Sequence, residues 1–408
     1  MPSINATRER FSSIKLEYGN ASIVKSLAAG KLTESDAHII TEFLAERRAA
    51  GGICAGRNNM VTFTLISWRR FLPPFSELTM GSIYTGIETL KHANSSRGRP
   101  FKQNTLADHM IVLKQFILWM IENNYLDLPE KKIRAIKNPP KDRMTKTAAD
   151  ILTPKEIQAI VDACQSSRDR ALIMSLYEGG FRAGEIAQLT WGDLKKDEKG
   201  IAVNIDFKTG IPRYVRLVMA KKYIAEWRAD YPLPIANDAP VFLNRHKRHL
   251  TWAGMHKQIK KVVARAGIQK HVTPHLFRHS RITHLIQEGA KESVIKLMMW
   301  GTVNTDMFST YAHLSGRDID SEISRLYGIS DGKDVPQQFR LEPIVCPACN
   351  LINPPGEDYC RNCMEPLTPN AIAEEEGVQH FVLKNFSTLR KYLDKVEREQ
   401  VQFLSGKR

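Results

Sequence analysis

Residues 200–219 read GIAVNIDFKTGIPRYVRLVM, and this stretch decides the fold because its apolar period differs from that of the chain around it. Ile201, Val203, Ile205 and Phe207 alternate with polar residues, Thr209-Gly210 supplies a turn, and a second apolar-polar alternation follows. A period of two on both sides of a turn predicts a β-hairpin, with Lys208 near its tip. Outward from it the spacing changes to three and four. Residues 35–50 (SDAHIITEFLAERRAA) and 104–124 (NTLADHMIVLKQFILWMIENN) carry the pattern of amphipathic helices. The fold class expected is mainly α with a small β-sheet or hairpin.

At 408 residues the chain exceeds what one hydrophobic core serves, so two or three domains are expected. Behind an arm at 1–20, a helical domain spans 21–135, broken at Gly51-Gly52, Pro73-Pro74 and the run ending at Pro100. The segment KNPPKDRMTKTAAD, with its Pro pair and lack of periodicity, marks a linker over 136–150. A second domain, 151–330, opens at Thr153, an N-cap followed three residues later by Glu156 as in a capping box. A cysteine module at 340–369 and a tail helix at 370–408 complete the order. Along that helix Phe386, Leu389, Leu393, Val396, Gln400 and Phe403 form one seam. Packing on its own domain is the more frequent fate of such a seam, self-association the rarer one.

The 59 Lys+Arg against 44 Asp+Glu give a formal charge of +15, which favours a polyanionic partner. Between Lys91 and Lys146 twelve basic residues face five acids, so the charge concentrates around the linker, where DNA backbone contact or a solvated surface would both use it. No run approaches the roughly 18 apolar residues of a membrane span, and the first residues lack the apolar core of a signal peptide. The expectation is a cytoplasmic, nucleoid-associated protein that binds double-stranded DNA and no membrane.

Four segments carry candidate chemistry: YEGGFRAGEIAQLTWGDL (177–194) around Arg182, DFKTG (206–210) around Lys208, TPHLFRHSRITHL (273–285) with His275 and Arg278, and MMWGTVNTDMFSTYAHLS (298–315) with Trp300 and Tyr311. Each alone is weak. Together, in this order, they resemble the tyrosine recombinase (phage integrase) family, which pairs Arg-x-x-Glu, a hairpin Lys, His-x-x-Arg and a Tyr followed two residues later by His. The resemblance spans about 150–328. The N-terminal half fits the family's core-binding domain more loosely, and the cysteine module lies outside the shared core.

The chemistry explains the residue types. In-line attack on a phosphodiester loads negative charge onto nonbridging oxygens, and the forks of Arg182 and Arg278 suit those oxygens. A phenol with pKa about 10 is mostly protonated at neutral pH, so Tyr311 needs a nearby acceptor, for which His275 is the candidate, or a strongly cationic pocket. The resemblance implies that Lys208 protonates the departing sugar oxygen. Trp300 stands where many members have His; its indole N–H donates to the phosphate there, or the ring only packs. Glu185 is expected to orient Arg182 or cap structure, and His279 and His313 to be supporting or structural histidines. The phosphotyrosyl ester conserves the energy of the broken bond, so no ATP and no catalytic metal is expected. The family also implies a tetramer on paired DNA sites, with a monomer possible in isolation. The rivals are a topoisomerase-like nicking and closing enzyme, and a silent DNA-binding protein, which would not need Arg182, Lys208, His275, Arg278 and Tyr311 together.

Cys346-Pro-Ala-Cys349 and, ten residues later, Cys360-Arg-Asn-Cys363 form two Cys-x-x-Cys knuckles. Four thiolates in that spacing close a tetrahedral site around one structural Zn²⁺ per chain and leave no position open for catalysis. The module resembles a small zinc ribbon; redox pairs or disulfides are the alternative.

Overall fold

The computed structural model describes residues 14–96, 98–142, 150–205, 212–308 and 341–405, with only the backbone of 389 and 392–405. The chain divides into two compact units, Met1–Thr147 and Ala148–Arg408.

The described part of the first unit is helical: α1 (Glu17–Ala28), α2 (Glu34–Gly51), α3 (Ala55–Trp68), α4 (Met80–His92), α5 (Gln103–Glu122) and α6 (Glu130–Ala135). Thr33 caps α2 reciprocally with Asp36, each side chain accepting the other's backbone N–H at 3.0 and 2.9 Å. Asp36 is fully buried, where an unpaired carboxylate would be costly. Arg69 Nε at 2.7 Å and the Phe75 N–H at 2.8 Å satisfy it, fastening α2 to the segment after α3. Trp68, Phe75 and Phe116 fill the core beneath.

The sequence suggests a linker from residue 136, and its first half is bound to α5. Gln103 donates to the Pro140 carbonyl at 2.7 Å, Asn104 pairs with the Asp142 backbone at 2.9 and 2.8 Å, and Lys141 meets Asp108 at 2.8 Å. Amides near the start of a helix supply partners that composition does not reveal. The rest of the segment, 143–149, lies outside the described residues.

The second unit opens with α7 (Pro154–Asp162), α8 (Ser167–Glu178) and α9 (Ala183–Gln188). The Thr153–Glu156 capping box forms at α7. Ten of the twelve α8 residues are buried, which makes it the central helix. The sheet is a three-stranded antiparallel meander, β1 (Leu194–Asp197), β2 (Gly200–Ile205) and β3 (Arg213–Leu217), with Val203 opposite both Leu194 and Val215. The paired arms are those of the expected hairpin; β1 is an addition. The tip, 206–211 with Lys208, lies outside the described residues.

Four helices follow: α10 (Ala220–Ala229), α11 (Trp252–Arg265), α12 (Pro274–Gln287) and α13 (Glu292–Trp300). α8 packs against α10 and α12, and α13 against β3. Glu178, buried at the end of α8, accepts the N–H groups of Val218, Met219 and Ala220 at 2.6 to 2.9 Å and so caps α10.

The cysteine module pairs β4 (Ile344–Val345) with β5 (Ile352–Asn353) and sits against this unit. Lys222 donates to the Pro343 carbonyl at 2.7 Å, and Arg361 lies 3.6 Å from Asp162. The tail helix α14 (Pro369–Ser405) bends at Asn385. Its described apolar face is not packed on its own domain: Val378, Phe381 and Phe386 are about 60% exposed, at 61%, 60% and 57%. Of the expected seam only Phe386 is described, and it is exposed; the side chains of Leu389, Leu393, Val396, Gln400 and Phe403 lie outside the described residues.

Candidate active site

The site grows from two backbone segments: the turn between α8 and α9, and the C-terminal end of α13. Gly179-Gly180 makes the turn, and Gly180 has φ +52°. A Cβ there would be strained by that conformation and would sit 2.6 Å from Met299 Sδ, so the Met299 side chain would have to shift. Arg182 follows as the N-cap of α9. Its N–H donates to Glu185 Oε2 at 2.7 Å and its Nη1 to Glu185 Oε1 at 2.6 Å. Glu185 is the expected orienting group, one turn into α9.

Arg278 projects from α12 and is buried. Its Nη1 donates to the Gly180 carbonyl and its Nη2 to the Met299 carbonyl, both at 2.5 Å, and its Cζ lies 5.5 Å from the Trp300 ring centroid. Met299 is one of the last residues of α13, whose final carbonyls have no partner within the helix. A guanidinium there supplies donors and positive charge at the negative end of the helix dipole. Trp300 is half-buried in a small cluster with Ile151, Ile282, Ile295 and Met299, so it both packs and presents its face to Arg278.

A third arginine, Arg213, joins the two segments. Its Nη2 donates to Glu185 Oε2 at 2.5 Å, and its Nη1 to the Met298 carbonyl at 2.5 Å and the Gly179 carbonyl at 3.5 Å. Arg213 and Arg278 thus bind neighbouring carbonyls on both segments. Burial by itself pushes the Glu185 carboxyl up, but the guanidiniums of Arg213 and Arg182 outweigh it and hold the group below the usual carboxylate range. Arg213 was not among the sequence candidates. A signal was present: it holds the inward register of β3 with Val215 and Leu217, where an apolar residue is expected.

His275 is exposed in the first turn of α12, behind the Thr273 N-cap and one turn before Arg278. His279 is half-buried on the same side of the helix. Arg182, Arg278 and Trp300 are therefore brought to adjoining segments and His275 onto the helix of Arg278. Lys208, Tyr311 and His313 lie outside the described residues.

The four cysteines converge. All four Sγ atoms lie within 4.8 Å of one another, with Cys346–Cys363 and Cys349–Cys360 at 3.5 Å. Ligands at about 2.3 Å from a tetrahedral ion stand roughly 3.8 Å apart, so the thiols fit a metal ion. Asn353 Nδ2 lies 3.5 Å from Cys360 Sγ, a donor suited to a thiolate.

Residues 150–317 match the phage integrase family. The chain is 28% identical over 208 residues to transposase A of transposon Tn554 from Staphylococcus aureus, covering 48% of this chain and 57% of that protein. It is 33% identical over 159 residues to tyrosine recombinase XerD of Lacticaseibacillus casei, covering 37% and 52%. The chain thus spans a little over half the length of these curated relatives. Two solved structures share the fold: a lambda integrase (residues 75–356) dimer bound to a COC' core site, with TM-score 0.53, 14% identity and coverage of 69% of this chain and 96% of that one, and XerH bound to a palindromic difH substrate, with 0.52, 15%, 77% and 95%. The fold is that of tyrosine recombinase core-binding and catalytic domains. The family match covers residues 150–317, less than half of the chain.

Proposed function

We propose that the chain is a site-specific DNA recombinase that breaks and rejoins strands through a 3'-phosphotyrosyl intermediate. The observation that carries this reading is the pair of guanidiniums, Arg182 and Arg278, set by Glu185 and by the Gly180 and Met299 carbonyls on adjoining backbone segments. They bind the nonbridging oxygens of the scissile phosphate and stabilise the charge that develops there. Tyr311 attacks the phosphorus and His275 takes its proton. Lys208 protonates the departing 5' oxygen, and Trp300 supports Arg278 and the phosphate. The reverse attack by a 5' hydroxyl on the phosphotyrosine restores the DNA, so the cycle uses no ATP and no catalytic metal.

In this reading residues 21–135 and 151–330 both grip double-stranded DNA, the basic segment 136–150 crosses it, and four copies act on paired sites. Lambda integrase and XerH were solved on DNA, which supports duplex DNA as the partner. Cys346, Cys349, Cys360 and Cys363 hold one Zn²⁺, which closes the 340–369 module as a structural ribbon. No described helix is long and apolar enough to cross a membrane, and a nucleoid-associated cytoplasmic place follows from the substrate.

The test is adduct formation. Presented with a library of nicked suicide substrates, the wild-type chain should trap DNA covalently. Tyr311→Phe should bind the recovered sequence and trap none; an adduct in that variant moves the nucleophile elsewhere. Recombinant product from paired sites separates this reading from a nicking and closing enzyme.

A further inference from the structure

Arg213 begins β3 opposite Ile205, so it stands where the described ladder ends, five residues beyond Lys208. Its side chain is 1% exposed, against 20% for Arg182. A buried arginine on a strand's inward face is unfavourable unless each charge and donor has a partner. Here one carboxylate and two carbonyls take its Nη groups, while its Nε has no hydrogen-bond partner among the described residues. Phe181 adds its ring at 5.5 Å from the Arg213 Cζ.

The electrostatics of the triplet matter more than the packing. Alone, Glu185 would cancel the charge of Arg182 and draw both its Nη groups into a bidentate pair. Oε2 accepts both Arg213 Nη2 and the Arg182 backbone N–H, which leaves Oε1 to the Arg182 side chain, and the three groups together keep a net positive charge. Arg182 is the more exposed of the two cations, so that charge is available to an anion arriving from solvent.

We infer that Arg213 is a positioning residue for phosphate chemistry: it holds Glu185 so that Arg182 keeps its orientation and its charge, and it ties the end of the β2–β3 ladder to the arginine-bearing turn. This rests on the proposed recombinase reading. It does not require Arg213 to touch DNA.

The experiment uses the full chain and the DNA sequence trapped by the wild type. Single-turnover cleavage, DNA affinity and thermal melting are measured for Arg213→Met, Arg213→Lys, Glu185→Gln and the Arg213→Met/Glu185→Gln double variant. Each substrate is made with a natural phosphate and with an uncharged methylphosphonate at the scissile position. Misplacing Arg182 should slow cleavage of the phosphate by roughly 10²-fold while affinity changes by less than about threefold. The deficit should shrink on the methylphosphonate, where less charge needs stabilising, and Arg182→Met, measured alongside, should show the same narrowing. The double variant should lose no more than the worse single one, because both act on one group. Arg213→Lys keeps the charge and safeguards the test if the Met variant unfolds; it should show a smaller deficit with the same narrowing. An equal deficit on both substrates, or additive losses, overturns the role of Arg213 alone. A wild-type chain that traps no DNA overturns the recombinase reading, and this inference with it.

Discussion

Acid should weaken the second unit through one histidine, His284, which joins the helix of Arg278 to the central helix. Its Nδ1 lies 2.8 Å from the Tyr177 hydroxyl, within hydrogen-bond distance, and only 8% of the residue is exposed. Burial, with the nearby Arg281 guanidinium second, pushes His284 down from 6.5 to about 4. The folded pKa lies below the unfolded one, so between those values the unfolded chain binds more protons. Stability contributed by the neutral ring is complete above the unfolded pKa and is lost as pH falls from there to about 4. Full protonation corresponds to about 3 kcal/mol, of which about 2 kcal/mol is gone by pH 5. Urea unfolding at pH 7.5 and pH 5 measures this, with His284→Gln as reference: a neutral amide can still bond the hydroxyl but does not titrate. The variant should be less stable at pH 7.5, yet its loss on acidification should be smaller than the wild type's by about 2 kcal/mol. Parallel pH profiles, or an NMR titration placing His284 near 6.5, would refute the reasoning.

Gly180→Ala forces a side chain into φ +52° and against Met299, so it should cost about 1–3 kcal/mol and shift the carbonyl that holds Arg278. Denaturant unfolding with a cleavage assay reads both effects, and an unchanged midpoint would be contrary. Elemental analysis should find about one zinc per chain, absent in Cys349→Ser, since four thiolates fill a tetrahedral site. A metal-free preparation with the module intact would remove the site.

The fold was legible where a pattern reports directly on burial. Val203, Ile205 and Val215 alternate because one face of their strands is covered, and the Thr153–Glu156 box announces its helix by reciprocal hydrogen bonds. β1 was not legible. Its four residues, LKKD, are half-buried or exposed, so they carry no alternation, and only the pairing with β2 makes them a strand. The stretch at 136–142 reads as a linker because its partners, Gln103, Asn104 and Asp108, are over thirty residues earlier in the chain. Glu178 looked like any acid. Its value as a cap depends on the start of α10 arriving beside it, a tertiary fact.

The candidate site shows the same division between residues recognised by type and residues recognised by surroundings. Arg182 and Arg278 stand out because the chemistry of a phosphate needs forks, and a search for forks finds them. Arg213 has the same side chain, yet what distinguishes it is its place on an inward strand face and its bonds to carbonyls from two other segments. Backbone carbonyls carry no sequence identity, so their demand for donors is invisible until the turn at Gly180 and the end of α13 are neighbours. Once they are, two buried guanidiniums fix neighbouring carbonyls of each segment, and the donors of Arg278 are oriented before any substrate arrives. Orientation achieved during folding need not be repeated at each turnover, which is where preorganised charge gains its catalytic advantage.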